Sequence, residues 1–305
     1  MNIVMLTVSD WAGSGFKTCQ AINQYSDHNI QLIALKGNIH GHPRENLITK
    51  TNKKYLCNIV NKADIIHLKG DWPPGKKYID FDISKKPIVV STSGGFFRKK
   101  IYGGRERYKC SQYKCNLKTS YTPDLLYPEY SDIWTPHPID SMGKENIWKW
   151  QDVPLLIHSP SDRKAKDTDF LLQVIKKLRG KINIEFEIIE KVTFREAVEL
   201  RKRATLFLDE FKQGFYANSA IESMQYGIPQ AAWISPLSIK QAKGQLDNCP
   251  VLTTNKNVDN WVNILTNALN PLHMELLSKQ TKEWCDKIHS YQSIARLWDK
   301  LYKTI

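Results

Sequence analysis

Short continuous runs of apolar residues, separated by polar or glycine-rich loops, recur along the whole chain. Runs that do not alternate with polar residues are typical of parallel strands buried on both faces. We predict strands at 2–8, 30–35, 64–68, 87–90, 132–140, 153–158, 185–189, 206–208 and 230–234. Between them, apolar residues three and four apart predict helices at 16–25, 170–178, 193–203, 217–226, 261–269, 274–285 and 290–302, with a helix start at 121–126. This alternation predicts an α/β protein with parallel sheets.

A chain of 305 residues is long enough for two domains. The stretch 141–152 is polar and contains Trp148 and Trp150, so we place the domain boundary there. We predict an N-terminal Rossmann-like domain over 1–145 and a C-terminal Rossmann-like domain over 146–289, facing each other across a cleft. The last helix, 290–305, is expected to pack back on the N-terminal domain.

Composition excludes several classes of protein. The chain is 41% hydrophobic and 25% charged, which is typical of a globular protein. It has no apolar run long enough for a transmembrane helix, and its N-terminus lacks the basic region of a signal peptide. Six scattered cysteines without metal-ligand spacing predict reduced thiols and no metal site. We therefore expect a cytoplasmic protein of a bacterium or phage-infected host, with peripheral attachment to the inner membrane as the alternative.

Polar loops follow the predicted strands, where a ligand would bind in an open α/β sheet. The first such loop contains Gly13-Ser14-Gly15, which has too few glycines for a dinucleotide fingerprint. The acidic residue of that fingerprint is also missing after the second strand, so we do not expect a nicotinamide enzyme. Gly13 and Gly15 form either a tight turn or a ligand-contacting loop.

Two loops of the second half are candidates for a phosphorylated ligand. Arg163 and Lys166 follow the strand 153–158 at a helix start, where cations and backbone donors favour a diphosphate. The alternative is that both are solvated surface bases. The second loop, Gln213–Ser219, allows the backbone to approach a ligand near Gly214.

Glu222 is an unexpected residue on the helix 217–226, which is otherwise built of Ala217, Ala220, Ile221 and Met224. Its carboxylate could accept hydrogen bonds from vicinal hydroxyls such as those of a ribose. The alternative is an acid that stabilises the start of the helix through the helix dipole.

The sequence resembles the GT-B glycosyltransferases, specifically the retaining group often called family 4. The resemblance is strongest at HSPSDRKAKDTDFLLQVIKKL (158–178) and LDEFKQGFYANSAIESMQYGIP (208–229), and weaker at TPDLL (122–126) and WTPHPID (134–140). It implies transfer of a sugar from a nucleotide-sugar, UDP- or GDP-linked, with no metal or other cofactor. It also implies that Arg163 and Lys166 bind the donor diphosphate and Glu222 the ribose. The turn Gly214-Phe215-Tyr216-Ala217, followed by Asn218 and Ser219, would lie against the donor.

Two departures from that family concern the chemistry. Many members carry a second glutamate at the position of Gly214, and many have a histidine where this chain has Ser93-Gly94-Gly95. In retaining members the departing phosphate is thought to help deprotonate the acceptor. If a base is needed, Asp71 and Asp10 are the candidates. The histidines at 40, 42, 67 and 137 are interpreted as structural or surface residues.

The net charge of +13 is concentrated in the first half, where Arg98–Lys118 holds eight basic residues and one acid. Aromatic residues are interleaved with these bases, a pattern typical of nucleic-acid binding. We therefore favour double-stranded DNA containing a hydroxymethylated pyrimidine as acceptor. The candidate acceptor-binding residues are Ser93, Gly94, Gly95, Arg98, Lys99, Lys100, Arg105 and Arg107.

Three other interpretations of the basic segment remain open. The first is an acceptor from the cell envelope, a glycan or a lipid on an anionic membrane. The second is a non-catalytic nucleic-acid-binding protein on a glycosyltransferase scaffold. The third is a solvated loop with no role in acceptor binding.

Overall fold

The structure, a computed structural model, describes residues 1–10, 12–36, 46–47, 52–70, 83, 85–94, 98, 115–127, 131 and 133–305, with only the backbone at 46–47. The chain divides into two compact units. Unit 1 comprises Met1–Pro138 and Tyr291–Ile305, and unit 2 comprises Ile139–Ser290. Each unit contains a parallel sheet with helices packed against it.

Unit 1 is built on a parallel sheet. Its strands are β1 (Asn2–Ser9), β2 (Asn29–Lys36), β3 (Asn46–Leu47), β4 (Ile65–Lys69), β5 (Ile88–Thr92), β6 (Leu117–Ser120) and β7 (Ile133–Trp134). In the part of the chain that the structure describes, their order is β3-β2-β1-β4-β5-β6-β7. The helices are α1 (Ser14–Tyr25), α2 (Lys53–Lys62) and the C-terminal α10 (Tyr291–Tyr302), and a 3-10 turn spans Pro123–Leu125.

Strand β1 explains the continuous apolar runs in the sequence. Ile3 and Met5 pack on one face of the sheet in a cluster that includes Trp298 of α10, while Val4 and Leu6 pack on the other face with residues of α2. All four side chains of the strand are at most 2% exposed. Complete burial of such a side chain stabilises the fold by roughly 1.5–3 kcal/mol. The chain therefore needs apolar residues at successive positions, not at alternate ones.

Unit 2 contains a five-stranded parallel sheet in the order β12-β11-β10-β8-β9. Its strands are β8 (Leu155–His158), β9 (Glu185–Ile188), β10 (Leu206–Leu208), β11 (Gln230–Ala231) and β12 (Val251–Leu252). Its α-helices are α3 (Arg163–Lys166), α4 (Thr168–Leu178), α5 (Phe194–Arg201), α6 (Asn218–Met224), α7 (Pro236–Gln241), α8 (Val258–Ala268) and α9 (Pro271–Trp284). A π-helical turn, Cys285–His289, follows α9.

Local sequence signals account for several of these helices. Thr193 and Glu196 form the capping box that the sequence predicts at the start of α5. The buried face of α4 consists of Leu171, Val174, Ile175 and Leu178 within the predicted apolar stripe. The sequence does not predict the elements α2, α7, β3, β6 and β12, because each is short or carries a weak apolar pattern.

The chain enters unit 2 earlier than the predicted boundary at 145–146. Two bonds hold the intervening stretch, 139–145, to the rest of unit 2: the Ile139 amide donates to the His289 carbonyl (2.8 Å) and Lys282 Nζ donates to the Ser141 carbonyl (3.3 Å). Polar composition alone does not reveal these long-range bonds.

Helix α10, which follows unit 2 in the sequence, belongs to unit 1 and packs against α1. Among the helices that the structure describes, none has the length and apolar character required to span a bilayer.

Candidate functional site

Asp209 is the centre of the site in unit 2. It follows β10, is fully buried, and accepts hydrogen bonds from Lys166 Nζ, from Ser219 Oγ at 2.6 Å and from the Ala217 amide at 2.6 Å. Burial alone would raise the pKa of the Asp209 carboxyl, but the Lys166 ammonium and the hydrogen bonds outweigh it and lower the pKa. The structure therefore brings together the two loops that the sequence selected, through a residue that the sequence analysis did not select.

Lys166 and Arg163 differ in their surroundings although they share the short helix α3. Lys166 is 6% exposed, and its Nζ also donates to Ser219 Oγ at 3.1 Å. Interpretation of Lys166 as a solvated surface base is therefore wrong. Arg163 has an exposed side chain, and its Nε and Nη2 donate to the two carboxylate oxygens of Glu190 at 2.8 and 2.6 Å. Such a surface pair contributes little to stability, so an incoming anion can compete with it.

Gly214 is required by the packing of unit 2. Its φ of +88° is a conformation that side chains rarely adopt, and a Cβ built on it would lie 2.8 Å from Ser235 Cβ and Oγ. Its carbonyl accepts hydrogen bonds from the Ser235 amide (3.0 Å) and Ser238 Oγ (2.7 Å). This approach of Ser235 gives a physical reason why the chain has no glutamate at the position where many members of the resembled family carry one.

The aromatic residues after Gly214 have their side chains in the core of unit 2. Phe215 stacks on Tyr216, whose hydroxyl bonds to His289 Nε2 (3.0 Å) and accepts from Trp284 Nε1 (3.1 Å). Burial raises the pKa of the Tyr216 hydroxyl well above its ordinary value. A donor contact at these two positions would therefore have to use the backbone.

Glu222 and Arg201 form a buried ion pair. Arg201 Nη2 donates to Glu222 Oε2 at 2.7 Å, and the two side chains are 5% and 6% exposed. The sequence selected Glu222 but not its partner, which lies in the preceding helix. Glu222 is the fifth residue of α6 and lies outside its first turn, so the interpretation of Glu222 as an acid that stabilises the start of the helix through the dipole does not fit.

His158, at the end of β8, is a neutral core residue beneath the site. Burial lowers the pKa of its ring to about 4. The neutral ring therefore donates from Nδ1 to the Leu208 carbonyl at 2.7 Å and accepts at Nε2 from Thr168 Oγ1 at 2.9 Å. These bonds tie β8 to β10 and to the start of α4.

Glu210 is a second acid that the sequence analysis did not select. Its carboxylate accepts from the amides of Lys212 (2.9 Å) and Gln213 (3.1 Å), and burial raises its pKa to about 6. The two consecutive acids directly after the apolar run 206–208 are the signal that could have identified both Asp209 and Glu210.

In unit 1, Asp10 pairs with Lys69 at the end of β1. Asp10 Oδ1 lies 2.8 Å from Lys69 Nζ, and the carboxylate also accepts from the amides of Gly15 and Phe16, each at 2.9 Å. Burial would raise the pKa of Asp10, but Lys69 and the two amides outweigh it and lower the pKa. A carboxylate held in this way is a weak proton acceptor, which argues against Asp10 as a base.

The glycines of the first loop allow this arrangement. Gly13 has a φ of 64° immediately before α1, and a Cβ on Gly15 would lie 2.9 Å from Lys69 Cδ. Tight packing around the Asp10–Lys69 pair accounts for Gly15 without a ligand. Of the two interpretations of this loop, this packing favours the tight turn over the ligand-contacting loop.

Arg98 is not available as a free cation for an acceptor. Its Nε and Nη2 donate to the Asp124 carboxylate at 2.6 and 3.0 Å, and Nη2 also contacts Thr122 Oγ1 at 3.2 Å. Asp124 is fully buried. The prediction that Arg98 binds phosphates therefore needs correction, because no local pattern indicates a partner 26 residues away.

Of the other candidate residues in unit 1, Ser93 and Gly94 lie just after β5, and a Cβ built on Gly94 meets no atom of the described residues within 4 Å. Six predicted site residues lie outside the described residues: Asp71, Gly95, Lys99, Lys100, Arg105 and Arg107. Within the described part of the chain, no group of three or more His, Cys, Asp or Glu residues is arranged to hold a metal ion.

His67 takes the structural role expected of it. Its ring is fully buried between Tyr302 Oη and Ser91 Oγ, each at 2.7 Å, and burial lowers its pKa to about 3. It thereby connects α10 to β4 and β5.

Comparison with solved structures identifies the fold. The chain is similar to sucrose-phosphate synthase from Thermosynechococcus elongatus (TM-score 0.63, 11% identity, 100% of this chain and 99% of that chain covered). It is also similar to HepE from Anabaena in complex with UDP-glucose (TM-score 0.60, 10% identity, 100% of each chain covered). WaaG, a glycosyltransferase involved in lipopolysaccharide biosynthesis, matches with a TM-score of 0.54 and 14% identity over 100% of this chain and 99% of that chain.

These neighbours and the two parallel sheets define the class: the chain has the GT-B fold, as its sequence predicts. No protein-family model and no curated protein matches the sequence. At 10–14% identity the likeness concerns the fold alone.

Proposed function

We propose that this protein is a glycosyltransferase that moves a sugar from a nucleotide-sugar donor, bound by unit 2, to an acceptor hydroxyl. The observation that carries the proposal is the convergence of Lys166 and residues 217–219 on Asp209, at the carboxyl end of β10. Open α/β sheets bind ligands at this edge. The complex of HepE with UDP-glucose agrees with such a ligand, since HepE shares the fold.

Each part of the donor has a proposed partner in unit 2. Lys166, fixed in position by Asp209, faces the diphosphate. Arg163 also binds the diphosphate once its guanidinium has exchanged Glu190 for the ligand. The backbone of 214–217 lies against the sugar and phosphates, and Glu222 accepts from the ribose hydroxyls. We propose that the two cations offset the charge of the leaving UDP or GDP without a metal ion, and that the anomeric configuration is retained.

We propose unit 1 as the acceptor-binding part, with hydroxymethylated pyrimidine in double-stranded DNA as the favoured acceptor. The support is the excess of basic and aromatic residues within 98–118. Arg98 itself contributes to folding through Asp124, so the proposal rests on the remaining bases of that segment. Because Asp10 is held at a lowered pKa, the departing phosphate or Asp71 would take the acceptor proton.

An envelope glycan or lipid is the second candidate acceptor. The similarity to WaaG, a glycosyltransferase involved in lipopolysaccharide biosynthesis, favours this alternative. The same basic segment would then face an anionic membrane surface.

A pair of neighbouring variants tests the donor site. Arg163→Ala removes the exposed fork and should raise the KM for the nucleotide-sugar about tenfold or more, since hydrogen bonds between charged groups are the strong ones. Lys164→Ala removes an exposed charge from the same helix and should leave the KM near that of the unaltered protein. Donor hydrolysis followed by chromatography gives the measurement. Equal kinetics in both variants would contradict the assignment of Arg163.

Acceptor identity is tested by incubation with UDP- and GDP-sugars and one acceptor at a time. The acceptors are hydroxymethylated duplex DNA, unmodified duplex DNA and truncated lipopolysaccharide. Mass spectrometry of nucleosides and glycolipids should show a hexose or pentose added only to the hydroxymethylated DNA. Transfer only to lipopolysaccharide would support the second candidate, and binding of DNA without turnover of any donor would contradict an enzymatic function.

A further inference from the structure

The buried ion pair between Arg201 and Glu222 connects two helices of unit 2. Arg201 lies in the last turn of α5, and Glu222 lies in α6, the helix that follows the Gly214 turn. Their side chains are 5% and 6% exposed, so both charges have lost nearly all contact with water.

Packing alone does not require charges at these positions. The neighbours of Glu222 on α6 include buried Ala220, Ile221 and Met224. Replacement of a buried ion pair by apolar side chains of similar volume is often neutral or stabilising, because the desolvation of two charges offsets their attraction. Stability alone therefore does not account for the pair, whereas a function of the carboxylate would explain it.

The guanidinium of Arg201 is fixed in orientation but incompletely hydrogen-bonded. Its central carbon lies 5.8 Å from the centroid of the Phe207 ring in β10, which limits rotation of the plane. Its Nε is buried and has no hydrogen-bond partner among the described residues. A side chain chosen for stability would be expected to satisfy this donor. Among the described residues, the one hydrogen bond that the guanidinium makes is to Glu222 Oε2.

We infer that Arg201 is a positioning residue for recognition of the nucleoside ribose. It holds the Glu222 carboxylate in one orientation, in which the carboxylate accepts hydrogen bonds from the vicinal 2′- and 3′-hydroxyls. This inference rests on the proposed function, because it requires a nucleotide at this site. Arg201 acts through Glu222 and does not itself touch the ligand.

The planar guanidinium of Arg201 is the feature that we expect to orient the Glu222 carboxylate. Arg201→Lys keeps the positive charge but replaces the fixed plane by a flexible ammonium, so Glu222 loses its orientation. Recognition of the 2′-hydroxyl should then weaken, while contacts with the base and the diphosphate persist. The selectivity between UDP and 2′-deoxy-UDP isolates this contribution, because the two ligands differ only at that hydroxyl.

Isothermal titration calorimetry with UDP and 2′-deoxy-UDP on the full chain tests the inference. GDP and 2′-deoxy-GDP replace them if the protein prefers guanine. The variants are Arg201→Lys, Glu222→Gln and the double variant. Arg203→Lys is the matched control, since Arg203 lies two residues away and pairs with Glu187 at the surface (2.6 Å). Thermal unfolding confirms that each variant is folded, and Arg201→Gln substitutes for Arg201→Lys if the latter does not fold.

We expect the unaltered protein and Arg203→Lys to bind UDP about tenfold more tightly than 2′-deoxy-UDP, because a hydrogen bond to a charged group contributes about this much affinity. The preference should fall towards unity in Arg201→Lys and in Glu222→Gln, and the double variant should show no further loss.

Four results would overturn the inference. An unchanged preference in folded Arg201→Lys, with only a lower Tm, would make the arginine purely structural. A further loss in the double variant would mean that Arg201 acts independently of Glu222. Binding of UDP by the unaltered protein without preference for the ribose would leave the proposed function standing and refute the inference alone. Failure to bind any nucleoside diphosphate would instead refute the proposed function, and the inference with it.

Discussion

A methyl group added at Gly214 should destabilise unit 2 through two separate effects. The backbone there has a φ of +88°, which costs a side-chain-bearing residue about 1–2 kcal/mol. The new Cβ would also lie 2.8 Å from Ser235 Cβ and Oγ, and overpacking of this kind costs about 1–3 kcal/mol. Gly214→Ala should therefore lower the free energy of unfolding by about 2–5 kcal/mol in total.

Gly143→Ala separates the two effects. Gly143 also lies in unit 2 and has a φ of +76°, but no atom of the described residues lies within 4 Å of a Cβ built on it. This variant should show only the conformational cost of about 1–2 kcal/mol. Urea unfolding followed by circular dichroism measures both variants, with the midpoint compared at constant m-value.

A third variant tests the cause of the difference. Gly214→Ala combined with Ser235→Gly removes the atoms that the methyl group meets, and a change of this N-cap to glycine costs only a few tenths of a kcal/mol. The double variant should unfold near the midpoint of Gly143→Ala. Equal unfolding midpoints for Gly214→Ala and Gly143→Ala would refute the close-contact explanation for the missing glutamate.

Two further predictions concern buried charges. Arg98→Met should destabilise unit 1 by about 3–5 kcal/mol in urea unfolding, because the Asp124 carboxylate stays buried without the Arg98 guanidinium. The double variant Arg98→Met with Asp124→Leu should recover most of this lost stability. Absence of recovery would show that the ion pair is not the cause. The native pKa of Glu210 is raised to about 6 from an ordinary 4.5, so its contribution to stability is fully present below about pH 4.5 and is lost as the pH rises through 6. Glu210→Gln keeps an acceptor for the two amides but does not titrate. Between pH 4.5 and pH values above 6, its free energy of unfolding should therefore rise by about 2 kcal/mol relative to that of the unaltered protein. Parallel pH–stability curves for the two proteins would contradict the assigned burial.

The sheets and many helices could be predicted because their signals are local. Burial of β1 on both faces requires consecutive apolar residues at 3–6, and the capping box of α5 needs only Thr193 and Glu196. The sequence likewise selects the two loops around Asp209 from their places after 153–158 and 206–208, since the carboxyl ends of parallel strands share one edge of a sheet.

The partners of the site residues could not be predicted in the same way. Arg201 lies 21 residues before Glu222, Asp209 lies 43 residues after Lys166, and Arg98 lies 26 residues before Asp124. Hydrophobic periodicity specifies which face of an element is buried, but not which charged side chain meets which other one. The same holds for Gly214, whose constraint comes from Ser235 on a different loop. Such pairings depend on the tertiary arrangement of the elements.

The two ends of unit 2 adjoin each other. The Ile139 amide donates to the His289 carbonyl at 2.8 Å, and Ile139 and Ser290 form a parallel β-bridge. Unit 2 thus has the anatomy of an inserted domain, whose excision would leave Pro138 and Tyr291 within reach of a short linker. Exchange of unit 2 for another domain would therefore need only these two adjacent junctions, and the C-terminal helix of unit 1 would remain packed on the sheet that it covers.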